Sequence, residues 1–354
     1  MFFLKQLLWP FALLYGAVIY LRNRMFDFNI LKSTSFALPV IGIGNLNTGG
    51  SGKSPMTEYL LGFLSSQGFK PAMLSRGYGR HTKGYRLLEP DDSVSDCGDE
   101  PLQIKRKFPK IPVAVCEDRV IGITELLFDH PETEVIVLDD AYQHRWVKPS
   151  VNILLTQYNK PFFNDTLLPV GNLREWRAGK KRAHLIVVTK CPAALSNQEK
   201  EQLLEKVNPT TNQSVFFSSS KATGPFALNA AAQSFEVDLF YAASVIFISA
   251  IAGGNNWTKN IENCFQHTIA SLTYPDHHQF TKKELDSLNQ TISKNKKNND
   301  HIIVVCTEKD AVKLEALSAT IEAPCFYFGV SHDFKEETQT FQEQLIKLLG
   351  GTKF

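Results

Sequence analysis

Two short stretches of this chain have the residue types and spacing for phosphate chemistry. The first is Asn47-Thr48-Gly49-Gly50-Ser51-Gly52-Lys53-Ser54. Its glycines let the backbone approach an anion closely and turn N–H groups toward it. Lys53 is placed to reach the β- and γ-phosphates of a nucleotide, and Ser54 offers a hydroxyl to Mg²⁺. The strict phosphate-loop pattern wants glycine at position 47; Asn47 stands there, and Gly49 and Gly50 carry the flexibility instead. An arbitrary glycine-rich turn has no need of a Gly-Lys-Ser ending, so all eight residues are read as nucleotide-binding. The second stretch is Glu134 to Asp140, EVIVLDD, an apolar run ending in two carboxylates. A strand end beside a phosphate site is where Mg²⁺ needs oxygen ligands, so Ser54, Asp139 and Asp140 are the metal candidates. Such strand ends are common in α/β proteins; Lys53-Ser54 upstream gives this one its meaning.

Other polar clusters are less committed. Arg76-Gly77-Tyr78-Gly79-Arg80, with Lys83 and Arg86 after it, suits an anionic ligand or a solvated turn equally. Asp99 and Glu100 precede a helix beginning near Pro101 and, taken alone, form an acidic helix start. Arg119 follows an apolar strand, His144 lies just past Asp139-Asp140, and Arg174 and Glu175 sit in a loop from Leu167 to Arg177. His277 is one of two adjacent histidines in a polar loop.

These groups must be positioned by a repeating α/β pattern. A buried strand, Leu38 to Ile43, leads into the glycine turn, and a helix runs from Pro55 to Ser66 with Met56, Tyr59, Leu60, Phe63 and Leu64 on its apolar face. Further strands at 70–75, 112–116, 134–140, 151–156 and 185–190 give a doubly wound parallel sheet of the phosphate-loop NTPase kind. A chain of 354 residues exceeds one typical core. The composition shifts to Ser, Thr, Asn and Ala near Asn208, and a second, smaller α/β pattern opens at Val245. The expected organisation is an N-terminal helix over 1–30, a nucleotide-binding domain over 31–207, linker strands over 208–240, and a second domain over 241–354 closing over the active site. Hydrophobic residues at 43% and charged residues at 21% are ordinary for a globular protein, and a net charge of +2 does not suggest a nucleic-acid partner. The six cysteines form no C-x-x-C pair, which leaves buried, reduced thiols as the reading.

The most apolar segment is Met1 to Leu21. Its charge-free part, Leu7 to Leu21, is shorter than the roughly 30 Å hydrocarbon core, and Pro10 would kink a helix. A buried core helix is the plain alternative. A membrane anchor, partly or fully inserted, is the preferred reading, with Arg22, Arg24 and Lys32 keeping the rest on the cytoplasmic side.

A phosphate loop, a carboxylate pair and a membrane-seeking N-terminus point to phosphoryl transfer at a membrane. A membrane-tethered nucleotide switch or assembly factor would share these parts. The words GNLNTGGSGKSP, SRGYGR, GDEP, CEDR, LDDAYQHR, LLPVGNLRE, YPDHHQF and TEKDAVKL, in this order, resemble the tetraacyldisaccharide 4′-kinase family of lipid A biosynthesis almost end to end. Where that family usually has D-D-G-F-Q-H this chain has Asp139-Asp140-Ala141-Tyr142-Gln143-His144, and Asn172 and Trp176 stand where proline is usual. The resemblance implies an ATP- and Mg²⁺-dependent kinase acting on a lipid disaccharide at the cytoplasmic face of the inner membrane, as a monomer. It implies Asp99 as the base with His277 as its partner and Lys53 as a catalytic cation. It implies that Arg76, Arg119, His144, Arg174 and Glu175 line the phosphate and sugar region.

Overall fold

The computed structural model describes residues 7–251, 261–262, 264–276, 278–296 and 301–351. The chain divides into two compact units, Met1–Lys221 with Ser331–Phe354, and Ala222–Val330.

In the first unit, helix α1 (Trp9–Asp27) precedes strand β1 (Val40–Asn45) and helix α2 (Lys53–Ser66). Strands β2 (Pro71–Ser75) and β3 (Arg86–Leu87), helix α3 (Asp99–Lys107), strand β4 (Val113–Val115), helix α4 (Arg119–Asp129) and strand β5 (Val135–Leu138) follow. Next come β6 (Val151–Gln157), β7 (Leu185–Cys191), helix α5 (Asn197–Val207) and β8 (Ser214–Ala227). The strand order is β8-β7-β6-β1-β5-β2-β4-β3. Every pairing from β8 to β4 is parallel, and only β3 runs antiparallel to β4. Strands β1, β2, β4 and β5 are buried throughout, which is why they read as continuous apolar runs. Parallel strands put all their C-terminal ends on one edge. The loops after β1, β2, β4, β5 and β7 therefore emerge together, where open α/β sheets bind ligands.

The second unit holds β9 (Ser244–Ser249), β10 (His267–Thr273), helix α6 (Lys282–Asn295), β11 (Ile302–Thr307), helix α7 (Glu308–Leu314) and most of β12 (Cys325–Asp333). Its strand order is β10-β9-β11-β12, all parallel, around a core including Ile246, Ile248, Leu288, Ile292, Val304 and Leu314. Helix α8 (Thr338–Leu348) is the last regular element among the described residues.

The unit boundaries differ from the expected ones. The division falls between Lys221 and Ala222 inside β8, and Ser331–Phe354 return to the first unit. Aromatic packing accounts for the return. Phe334 stacks on Phe341 at 4.2 Å between ring centroids, and Tyr59 of α2 lies edge-on to both, at 5.3 and 5.9 Å. Five cysteines are buried and Cys264 is exposed.

Candidate active site

The phosphate loop leaves β1 and enters α2 through Gly52, which takes φ +87° and caps the helix. A side chain there would be strained by that φ, and its Cβ would meet the imidazole of His332 at 3.1 Å. Asn47, at the position of the missing glycine, donates from Nδ2 to Asp165 at 2.8 Å. Asp165 also accepts from the backbone N–H and side chain of Asn172, each at 3.1 Å. The main chain continues this pairing: Thr48 N–H donates to the Asn172 carbonyl at 2.8 Å, and Arg174 N–H to the Leu46 carbonyl at 2.7 Å. The departure at 47 therefore ties the phosphate loop to the Leu167–Arg177 loop. Asn172, in place of the usual proline, is part of the same tie. Trp176, the other departure, donates from its indole to the Gly16 carbonyl of α1 at 2.8 Å.

Lys53 Nζ lies 3.7 Å from Asp140. Arg174 grips both oxygens of that carboxylate, at 3.0 and 3.1 Å. Asp139 is buried, and Thr57, three residues after Ser54 on α2, donates to it at 3.4 Å. Burial pushes the Asp139 carboxyl up to about 7, with the carboxylates of Glu100 and Asp140 adding to the rise and Lys53 and Arg119 opposing it. Adjacent carboxylates at the strand end, with a serine hydroxyl at the start of α2, are hard oxygen donors of the kind Mg²⁺ takes, typically one or two carboxylates with the shell completed by phosphates and water. No group of three or more His, Cys, Asp or Glu able to hold a metal occurs among the described residues.

Arg119 starts α4 and is almost fully buried. Its guanidinium donates to the carbonyls of Cys116 and Asp139, and its backbone N–H meets His144 Nε2 at 3.4 Å. Burial lowers Arg119 to about 10 and, with the Arg119 charge adding, lowers His144 to about 4. His144 is thus a neutral imidazole near pH 7. Exposed Arg76 acts on both of these groups electrostatically. Asp99 is buried at the first turn of α3 and accepts the Glu100 N–H at 3.0 Å. Helix α3 lies along α2, joined through Glu58, which accepts from Gln103 at 2.7 Å and from Lys107 at 2.6 Å. His277 lies outside the described residues.

Glu175 is more enclosed than the sequence suggests. Its carboxylate accepts from Arg182 at 2.7 Å, Gln143 at 3.0 Å and Asn23 of α1 at 3.1 Å. Several basic residues are also engaged within the fold. Arg182 pairs with Glu175 and stacks 4.6 Å from the Tyr142 ring centroid, and Lys180 donates to the Val207 and Asn208 carbonyls. Arg80 pairs with Glu117 and Arg86 with Asp92. Beside the phosphate loop lies a cavity of about 370 Å³ between α1 and the Leu167–Arg177 loop, lined by Tyr15, Arg22, Asn23, Thr48, Gln143 and Arg174 among others. Glu100, Thr57, Gln143 and Asp165 were not apparent as site residues from the sequence. For Glu100 a signal existed, since it adjoins Asp99 at the same helix start.

One narrow face of α1 packs on this unit. Ala12, Gly16 and Phe26 are buried, and a Cβ on Gly16 would come within 2.5 Å of Leu167. Elsewhere on the helix Phe11, Leu13, Leu14, Val18 and Leu21 are each more than half accessible, between 55% and 65%. No helix among the described residues is long and apolar enough to cross a membrane.

The family model of tetraacyldisaccharide-1-P 4′-kinase matches residues 4–350. A tetraacyldisaccharide 4′-kinase of Flavobacterium johnsoniae is 38% identical over 98% of this chain and 97% of its own length. Another, of Flavobacterium psychrophilum, is 40% identical over 97% and 96%. Among solved structures, the "apo" form of LpxK from Aquifex aeolicus in complex with ATP superposes with a TM-score of 0.75 at 28% identity, covering 98% of this chain and 99% of that one.

Proposed function

The chain belongs to the tetraacyldisaccharide-1-P 4′-kinase family, and from that premise we propose that it transfers the γ-phosphate of ATP to the 4′-hydroxyl of a tetraacyldisaccharide 1-phosphate. The observation that carries this reading is the Lys53–Asp140–Arg174 chain of contacts, which joins the nucleotide loop, the strand-end carboxylates and the Leu167–Arg177 loop within one site.

The reaction balances as an in-line displacement. The acceptor hydroxyl oxygen bonds to the γ-phosphorus as the bridge to the β-phosphate breaks, and ADP leaves. Asp99 takes the hydroxyl proton. By family resemblance, His277 is the imidazole that orients it. Lys53 and the backbone N–H groups of Gly49 to Ser54 hold the phosphates. Ser54 with Asp139 or Asp140 would hold Mg²⁺, which neutralises phosphate charge when bound. Lys53 would exchange Asp140 for phosphate oxygens, and Arg174 would keep Asp140 oriented during that exchange. Buried Arg119 braces the Asp139 backbone, and exposed Arg76 and neutral His144 would meet the phosphate and sugar groups. The cavity beside α1 is suited to the acceptor sugar, and the exposed apolar residues of α1 to lying in a membrane interface beside the acyl chains. Cytoplasmic-face association and a monomeric chain complete the proposal.

The test is purified protein with ATP, Mg²⁺ and detergent-dispersed tetraacyldisaccharide 1-phosphate, read by mass spectrometry. One added phosphate on the distal sugar is expected, with Lys53→Ala and Asp99→Ala each folded and strongly impaired in kcat. ATP turnover independent of the lipid, with no phosphorylated lipid, would overturn it.

A further inference from the structure

Four consecutive carbonyls of the phosphate loop, Gly49 to Gly52, each accept a hydrogen bond from a side chain. Asn45 Nδ2 donates to the Gly49 carbonyl at 3.3 Å. Gln157 and Lys190 donate to Gly50, at 3.1 and 2.6 Å. Thr189 Oγ1 donates to Ser51 at 2.9 Å. The fourth carbonyl, Gly52, accepts the Met56 N–H of α2 at 3.1 Å and is also met by Nε2 of His332 at 2.9 Å. Within a peptide unit the C=O and the following N–H point in opposite directions. Holding these carbonyls outward turns the N–H groups of Gly50, Gly52 and Lys53 toward the concave side, where an anion sits, while Ser51 N–H donates to the Gly49 carbonyl at 3.0 Å.

His332 differs from the other donors in depending on a tautomer. Its Nδ1 lies 2.8 Å from Ser218 Oγ. The Gly52 carbonyl only accepts, so Nε2 must carry the proton, and Nδ1 of a neutral ring must accept from the Ser218 hydroxyl. Ser218 has a second acceptor, the Ser219 carbonyl, but at the longer distance of 3.1 Å. The ring is 8% exposed, and burial lowers it to about 4, so it stays neutral near pH 7. Phe334 stacks against it, and Phe334 in turn belongs to the aromatic group containing Tyr59 of α2. Gly52 leaves room for this contact.

We propose that His332 is a positioning residue for nucleotide binding, its Nε2–H holding the Gly52 carbonyl and so the backbone on which Lys53 and Ser54 stand. This rests on the reading of Gly49 to Ser54 as the ATP phosphate loop. His332 bonds to the loop backbone and to Ser218, so its loss should weaken ATP and leave the acceptor KM unchanged.

Glutamine places its amide nitrogen where Nε2 stands, whereas asparagine reaches only the Nδ1 position. His332→Asn should raise the KM for ATP and the Kd of a non-hydrolysable ATP analogue about tenfold, the effect of losing one well-placed hydrogen bond. The KM for the lipid acceptor should not move, and His332→Gln should stay within about threefold of wild type. Should His332→Asn fail to fold, Ser218→Ala carries the test. It leaves the imidazole in place without the hydroxyl that fixes its tautomer, and should weaken ATP by at least about threefold. Unchanged ATP affinity in His332→Asn or in Ser218→Ala, or equal losses in the Gln and Asn variants, would overturn the role of His332. A wild-type protein that binds no analogue would overturn the phosphate-loop reading itself, and this proposal with it.

Discussion

Removing the Glu175 carboxylate tests how the Leu167–Arg177 loop is held. Glu175 is 1% exposed, and its three donors come from α1, the loop after β5 and the turn at 177–182. One carboxylate thus joins three segments around the proposed acceptor cavity. Glu175→Ala leaves the Arg182 guanidinium stacked on Tyr142 but without its counter-ion. Breaking a buried ion pair by removing one partner costs about 3–5 kcal/mol. Arg182 keeps 21% of its side chain in solvent, which draws the value to the lower end, about 3 kcal/mol. At about 2–4 °C per kcal/mol for a unit of this size, Tm should fall by about 6–12 °C in thermal unfolding followed by circular dichroism. Glu175→Ala with Arg182→Met should melt above Glu175→Ala alone, because the uncompensated charge is gone. The acceptor KM should rise more than the ATP KM, since α1 loses its bond from Asn23. A single variant melting within about 2 °C of wild type, or strict additivity in the double variant, would refute this account.

The raised Asp139 carboxyl makes a pH prediction. Its folded pKa of about 7 lies above the ordinary value of 3.8, so the stability it contributes is intact below about pH 4 and is lost as pH rises through about 7. In the absence of nucleotide, Asp139→Asn should melt higher than wild type above pH 7 and lose that advantage toward pH 4; a pH-independent difference would refute it. His144 behaves oppositely. Its pKa is lowered to about 4, so the stability it gives is present above about 6.5 and is lost as pH falls toward 4, and His144→Gln should flatten that acid limb in melting curves. On α1, Leu14→Glu with Leu21→Glu should reduce flotation with anionic phospholipid vesicles by at least about tenfold without lowering Tm, since each leucine buried in lipid is worth about 1.5–3 kcal/mol. Equal flotation would remove α1 from the membrane contact.

Much of the first unit was legible because its signals are local. Buried parallel strands must be apolar on both faces, so β1, β2, β5, β6 and β7 stand out within about two residues of their true bounds. Edge strand β10 was missed: it mixes exposed and half-buried residues, has none fully buried, and carries no apolar run. Helices α5 and α7 were passed over for a related reason, being short and charged. Lys180 and Arg182 look like surface cations in sequence. Only the fold brings them the Val207 and Asn208 carbonyls and the Glu175 carboxylate.

The sequence by itself determined the chemistry of this protein. A Gly-Lys-Ser turn and a carboxylate pair at a strand end state their purpose over a few contiguous residues, because phosphate and Mg²⁺ are bound by groups a short loop can supply. The tertiary structure decided what holds that loop in shape. Asn47 reads as a lost glycine until Asp165, 118 positions away, is placed against it. His332 reads as an unremarked residue near the C-terminus until it reaches Gly52 across 280 positions. Hydrogen-bond partners are chosen by distance in space. A parallel sheet brings together strand ends far apart in sequence, so no local pattern could have announced them.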